Sequence, residues 1–81
     1  MNYINFEWDE NKNKSNQQKH GISFNEAKTV FYDDNARLIY DPEHSREEER
    51  YILLGLSSSL RILIVIHEYK KNDEIIRIIS A

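Results

Sequence analysis

Cysteine is absent from this 81-residue sequence, and glycine and proline are scarce, at two residues and one. The lack of cysteine excludes a disulfide framework, a thiolate metal site and a cysteine nucleophile. The longest apolar run, near residues 62–66, is far shorter than the roughly 20 residues that a transmembrane helix needs. The amino terminus also lacks the basic and then apolar pattern of a secretory signal. These absences predict a cytoplasmic protein with no membrane partner.

A strong excess of positive charge is missing as well. The formal net charge is −3 at pH 7, so the overall balance does not point to nucleic acid. The charges are uneven, however, because Lys12, Lys14, Lys19 and His20 cluster early while residues 47–49 are all acidic. A locally basic surface on an acidic protein is therefore possible. The 40% apolar and 31% charged residues are typical of a globular chain, which we expect to form one domain over residues 1–81.

The first half of the chain predicts a short strand and two helices. The strand covers residues 4–8, and the segment after it, up to Gly21, contains no apolar side chain. Asp9 has the position of a helix N-cap and Gly21 that of a left-handed C-cap, so the ends predict a helix although it lacks an apolar stripe. Ser23 and Glu26 have capping-box spacing and predict the start of a second helix.

The second half predicts four strands, at residues 36–40, 50–56, 60–69 and 74–79. The third of these is apolar on both faces, so we expect it to lie centrally and to be covered on both sides. Short loops between the strands favour antiparallel pairing. The order of strand, two helices and four strands predicts an α+β fold, an antiparallel β-sheet with two N-terminal α-helices packed on it.

One face of the polar first helix is the clearest candidate for a binding surface. Lys12, Asn16, Lys19 and His20 have i, i+4, i+7 and i+8 spacing and share this face. Two cations, an amide and an imidazole can bind phosphate. The alternative is an ordinary solvated helix face, since charged runs usually face water.

A charged residue interrupts the apolar row of the last strand. Arg77 points the same way as Ile75 and Ile79, and arginine is rarely buried without a partner. The sequence leaves two explanations open. Either Arg77 forms an ion pair with Glu49 or Glu68, or it is a sheet-face cation that binds a phosphate.

The end of the central strand carries a second candidate for proton transfer. His67 and Tyr69 share a strand face there, where acid–base residues are often placed. The alternative is that both side chains simply pack at the rim of the sheet. The three histidines are far apart and match no zinc spacing, and no glycine-rich phosphate loop is present, so we predict no metal and no other cofactor.

Several short motifs follow one another in an order that resembles a known family. Residues 6–27 contain Phe-x-Trp-Asp, then Lys, Asn and Lys-His-Gly, then Ser-Phe-x-Glu-Ala. Asp-Pro-x-His-Ser follows at 41–45, Glu-Glu-Arg at 48–50 and Ile-Arg-Ile-Ile-Ser-Ala at 76–81. Over essentially its whole length the sequence resembles the BrnT family, the toxin half of BrnT–BrnA type II toxin–antitoxin pairs.

The resemblance implies a RelE-like fold and an endoribonuclease that needs no metal, inhibits translation and arrests growth. It also implies neutralisation by a BrnA-like antitoxin, whose ribbon-helix-helix part contacts the promoter DNA of the operon. The toxin itself is expected to reach that DNA only through the antitoxin. Family members usually continue past Ser-Ala with an arginine and a helix, so we expect the C-terminal helix of the family to be absent here.

The resemblance also implies roles for the candidate residues. In metal-independent RNA cleavage the 2′-hydroxyl attacks the adjacent phosphate with help from a base, an acid and a cation. The expected catalytic residues are Lys19 and His20 as acid–base or phosphate groups, Arg50 and Arg77 as phosphate clamps, and Glu49 and His67 as further proton-transfer groups. The expected RNA-binding residues are Lys12, Asn16 and Tyr69. Two other functions stay open: an inactive module of the same fold that only docks an antitoxin or another partner, and a structural domain without chemistry.

Overall fold

The computed structural model describes residues 4–44 and 49–81 and contains two α-helices and five strands. Their bounds are β1 Asn5–Glu7, α1 Glu10–His20, α2 Phe24–Ala27, β2 Arg37–Asp41, β3 Arg50–Leu56, β4 Ile62–Lys70 and β5 Ile75–Ser80. A 3₁₀ helix, Lys28–Tyr32, continues α2, and a second one, Pro42–His44, follows β2. The predicted order of strand, two helices and four strands is confirmed. No helix in the described residues is long and apolar enough to cross a membrane.

The five strands form one sheet in the order β1-β5-β4-β3-β2. The pairs β2–β3, β3–β4 and β4–β5 are antiparallel, as the short loops predict. β1 pairs with β5 in parallel, so the sheet is mixed and the expectation of a wholly antiparallel sheet is wrong at this edge. The reason is the connection between β1 and β2. It contains both helices, which carry the chain across to the opposite edge and leave β1 beside β5.

The hydrophobic core lies on one side of the sheet, which we call the helix face. Phe24, Ala27 and Val30 project from the second helical segment and are fully buried. They belong to one cluster with strand residues Leu53, Leu63, Val65 and Ile78. The core therefore uses alternate residues of β3, β4 and β5, as expected for strands with one covered face.

The opposite side, which we call the open face, has no helix over it within the described residues. Ile62 and Ile64 of the central strand β4 are 68% and 56% exposed there. The expectation that this strand is covered on both sides is therefore wrong for its first half. The second helical segment covers the helix face, so the apolar side chains of β4 that point away from it stay in contact with solvent.

α1 is attached by amide groups instead of an apolar stripe. Its two buried side chains are Asn13 and Asn16. Asn13 Oδ1 accepts a hydrogen bond from the Phe24 N–H at 2.9 Å. Asn16 Nδ2 donates to the carbonyls of Ile22 at 2.9 Å and Ala81 at 2.7 Å, and its Oδ1 accepts from the Ala81 N–H at 3.1 Å. These bonds explain how a helix without apolar residues docks on the domain.

The predicted ends of α1 are confirmed. The Asp9 carboxylate accepts from the Asn11 N–H at 2.8 Å, as an N-cap does. Gly21 has a φ of 68°, and its N–H donates to the Gln17 carbonyl at 2.8 Å. Glycine adopts this left-handed conformation without a steric penalty, so the helix ends where the sequence predicts.

The start of α2 follows only half of the predicted capping box. Ser23 Oγ accepts from the Glu26 N–H at 3.1 Å. The Glu26 carboxylate turns away and accepts instead from Arg61 Nε at 3.0 Å and Ser57 Oγ at 2.7 Å. These hydrogen bonds lower the pKa of Glu26, and the bond from Arg61 has the largest effect. The glutamate thus links α2 to the turn before β4.

Candidate active site

One side of α1 and the end of β5 enclose a shallow pocket of about 200 Å³, which we call the basic pocket. The residues that line it are Lys12, Ser15, Asn16, Lys19, His20, Ile79 and Ser80. All four side chains of the predicted helix face are therefore brought together. None of the described residues that line this pocket is acidic, so its charged lining is entirely cationic.

The four predicted residues do not have the same environment. Lys12, Lys19 and His20 are exposed, whereas Asn16 is buried and its amide is bonded to the backbone of Ile22 and Ala81. The expected RNA-facing amide is thus an anchor of the helix. Helical spacing correctly places Asn16 on the same side as the lysines, but it does not report how deeply a side chain lies.

A second pocket, of about 410 Å³, lies where β3 begins and β4 ends, and we call it the tyrosine pocket. Its lining residues are Glu49, Tyr51, Glu68, Tyr69, Lys70, Lys71 and Asp73. Two predicted site residues, Glu49 and Tyr69, meet here. The lining carries three carboxylates and two lysines, so it is more acidic than the basic pocket.

His67 lies behind the tyrosine pocket and is fully buried. Its Nδ1 is 3.2 Å from the Val65 carbonyl, which can only accept, so Nδ1 carries the proton. Nε2 is then free to accept from the Tyr69 hydroxyl, also at 3.2 Å. Burial lowers the pKa of His67, and the Phe31 ring packs edge-on against it at 4.8 Å. His67 is a neutral core side chain that touches the pocket through Tyr69.

Tyr51 is the aromatic residue of this pocket that the sequence motifs miss. It lies directly opposite His67 in the β3–β4 register, and its ring centroid is 5.2 Å from that of Tyr69. Burial raises the pKa of both phenols, and the negative charge of Glu49 raises that of Tyr51 further. Both hydroxyls therefore stay protonated at neutral pH and can donate. Only the β3–β4 register could have revealed Tyr51 from the sequence.

The two predicted arginine clamps line neither pocket in the described part of the chain. Arg77 Nη1 donates to Glu7 Oε2 at 2.7 Å, and its Nε lies 3.9 Å from Glu68 Oε1. The ion-pair explanation with Glu68 is confirmed, and Glu7 is an additional partner supplied by the parallel β1–β5 pairing. Arg50 lies opposite Asp41 in the β2–β3 register. The predicted catalytic set is therefore divided among four places.

Carboxylates and imidazoles do not converge in a metal-binding arrangement anywhere in residues 4–44 or 49–81. The basic pocket offers cations and an exposed imidazole. The tyrosine pocket offers phenol hydroxyls and carboxylates.

A protein-family model matches residues 8–81 of the chain. The model is described as "Ribonuclease toxin, BrnT, of type II toxin-antitoxin system". The matched segment includes α1, both pockets and the whole antiparallel part of the sheet. A search of curated proteins finds no match.

Proposed function

Because the chain belongs to the BrnT family of ribonuclease toxins of type II toxin–antitoxin systems, we propose that it is an endoribonuclease whose cleavage of RNA inhibits translation and arrests growth. We place the cleavage at the basic pocket and propose that it needs no metal. One observation carries this assignment: Lys12, Lys19 and His20 line one pocket that has no acidic lining. Binding of a nucleic acid depends largely on cations that neutralise its phosphates.

The proposed reaction uses the RNA's own 2′-hydroxyl. Its oxygen bonds to the adjacent phosphorus while the bond from phosphorus to the 5′-oxygen breaks. One proton leaves the 2′-hydroxyl and another must reach the 5′-oxygen. His20 transfers one of these protons, since an imidazole ring has one nitrogen that can accept a proton and one that can donate it. Lys12 and Lys19 stabilise the negative charge that builds on the phosphate.

The position of these groups supports that division of roles. All three side chains are exposed, so a bulky polyanion can reach them. Lys19 and His20 are adjacent in the last turn of α1, and Lys12 lies two turns earlier on the same side. The Asn16 bonds hold the helix against β5, which fixes this row of side chains relative to the sheet.

The tyrosine pocket is the second place where RNA contacts are possible. Its tyrosine rings offer surfaces on which bases stack, and Tyr69 has a protonated hydroxyl. Three carboxylates line the same pocket and repel phosphate. We therefore assign it to the nucleotides that flank the cleaved bond. If the bond is cleaved at this pocket instead, Glu49 is the carboxylate that serves as the base. Arg77 balances Glu7 and Glu68 and is assigned no role in the reaction.

We further propose that the partner is a BrnA-like antitoxin with a ribbon-helix-helix part. In this proposal the antitoxin neutralises the toxin in the cytoplasm and makes the only contact with promoter DNA. Membership of a type II family supports a protein antitoxin, because both components of such a pair are proteins. The net charge of −3 is consistent with a toxin that does not bind DNA directly.

The test is cleavage of RNA by the purified chain in the presence of a metal chelator. The parent should yield products with 2′,3′-cyclic phosphate ends, which the 2′-hydroxyl attack produces. His20→Ala should lower the rate by about 10²–10⁴-fold, the usual contribution of a general acid or base. Lys19→Ala should also lower it. Lys14→Ala is the matched control, because Lys14 is exposed on the same helix but does not line the pocket.

Growth after induction, with and without the neighbouring antitoxin gene, gives the corresponding result in cells. Arrest that the antitoxin reverses and that His20→Ala abolishes would support the proposal. If Tyr69→Phe stops cleavage while His20→Ala does not, the reaction belongs to the tyrosine pocket. A folded parent that binds the antitoxin but cleaves no RNA would instead establish the inactive binding module.

A further inference from the structure

The edge strand β2 presents an apolar pairing surface between two charged ends. Among the described residues, β3 is the one strand beside it in the sheet order. Its sequence is Arg-Leu-Ile-Tyr-Asp, so its three central residues carry no charge and no proline. Natural proteins usually protect an edge strand with charged residues or proline along it, with a bulge or by covering it. β1, at the other edge, is only three residues long.

The side chains of β2 are exposed on both faces of the sheet. Leu38, Ile39 and Tyr40 are 52%, 49% and 45% exposed. Leu38 and Tyr40 lie on the helix face and Ile39 on the open face, as their register partners in β3 show. The helices thus leave this end of the sheet uncovered, and a strand laid beside β2 would bury apolar side chains on both sides at once.

The sequence of β2 is self-complementary in antiparallel pairing. If a second copy of β2 is placed beside it with a two-fold axis at Ile39, the two Ile39 side chains face each other. Leu38 of each copy then lies opposite Tyr40 of the other. Arg37 of each copy lies opposite Asp41 of the other, so both ends of the ladder carry opposite charges. A two-fold interface requires this kind of self-complementary patch.

We propose that two copies of this chain associate through β2 in this register to form a continuous ten-stranded sheet. The strand backbone supplies hydrogen bonds, while Leu38, Ile39 and Tyr40 supply apolar area and Arg37 and Asp41 fix the register. A single pair of five-residue strands makes a small interface, so the dimer is reversible and depends on concentration. This inference does not rest on the proposed ribonuclease activity.

The first experiment is sedimentation velocity of the purified chain over a wide concentration range. The mass should rise with concentration from 9.7 kDa toward twice that value. Ile39→Lys places two lysines opposite each other at the axis and should raise the dissociation constant about tenfold or more. Ile64→Lys is the matched control, since Ile64 is an exposed isoleucine of the same open face but lies two strands away from the edge.

The second experiment tests the register by exchanging charges. Arg37→Asp puts like charges at both ends of the ladder, and so does Asp41→Arg, so each variant alone should dissociate. An equimolar mixture of the two should recover the dimer, because every pair across the interface is then opposite in charge. Circular dichroism checks folding, since Asp41 also contacts His44 at 2.7 Å. If Asp41→Arg does not fold, the comparison of Ile39→Lys with Ile64→Lys decides.

Three results would overturn the proposal. One is an unsubstituted chain that stays monomeric at every concentration. This includes the case in which the β2 amides of that monomer become protected from hydrogen exchange only when an antitoxin is added. The second is a dimer that Ile64→Lys weakens as much as Ile39→Lys, which would place the interface on the open face. The third is a mixture of the two folded charge variants that remains monomeric.

Discussion

Replacing Asn16 by alanine removes the side chain that ties α1 to the end of β5. Three hydrogen bonds are lost, two donated by Nδ2 and one accepted by Oδ1. Each such bond contributes about 1 kcal/mol net, and the buried partners left behind add to the cost. Alanine recovers about 0.5 kcal/mol through its higher helix propensity. The expected loss in free energy of unfolding is therefore about 2–3 kcal/mol.

The assay is urea and thermal unfolding followed by far-ultraviolet circular dichroism. For a domain of this size about 2–3 kcal/mol corresponds to a fall in Tm of roughly 10–20 °C. Asn11→Ala is the matched control, because it is the same substitution on the same helix at an exposed position. It should change the free energy of unfolding by less than about 0.5 kcal/mol. Equal effects of the two substitutions would refute the idea that amide bonds anchor α1.

Two further predictions concern packing and pH. Gly55→Ala should lower the free energy of unfolding by about 1–3 kcal/mol through overpacking, because the added Cβ would lie 2.8 Å from both Ala36 Cβ and Val30 Cγ1. Urea unfolding measures this loss. Adding Ala36→Gly should recover part of it, and no recovery would show that the clash is not the cause. Burial lowers the pKa of His67 in the folded protein below its ordinary value of 6.5. As the pH falls below about 6.5, the unfolded chain therefore binds more protons than the folded protein does. Unfolding free energy should therefore be fully retained above that pH and decrease below it. His67→Leu should flatten this dependence, and an unchanged slope in that variant would contradict the assignment.

Most of the fold was predictable because its signals are local. The cap residues Asp9 and Gly21 lie at the ends of the first helix, and the apolar runs match the observed strands to within a few residues. The parallel β1–β5 pair was not predictable in this way. Strand direction at that edge depends on where the two helices carry the chain, and the residues next to β1 in the sequence do not indicate it.

The candidate site was predictable to a smaller extent. Helical spacing correctly grouped Lys12, Lys19 and His20, because one turn of helix fixes which side chains are neighbours. It gave no information on the depth of Asn16, since an asparagine has the same polarity whether it faces water or bonds to buried backbone. The partners of Arg77 depended on long-range register. Glu7 lies 70 residues from Arg77 in the sequence, and only the assembled sheet shows that the two side chains are partners.

The anchoring of α1 has a consequence for the order of events during synthesis. The helix is made early, but it has no apolar stripe, and an isolated helix of 11 residues is marginal in water. Two of the three backbone contacts that Asn16 makes come from a residue made 65 positions later. While β5 is still inside the ribosome, α1 is anchored only through the bonds of Asn13 and Asn16 to the nearby backbone of Phe24 and Ile22. If the basic row cleaves RNA, its side chains are therefore fully positioned only after residues 75–81 have emerged and docked on α1.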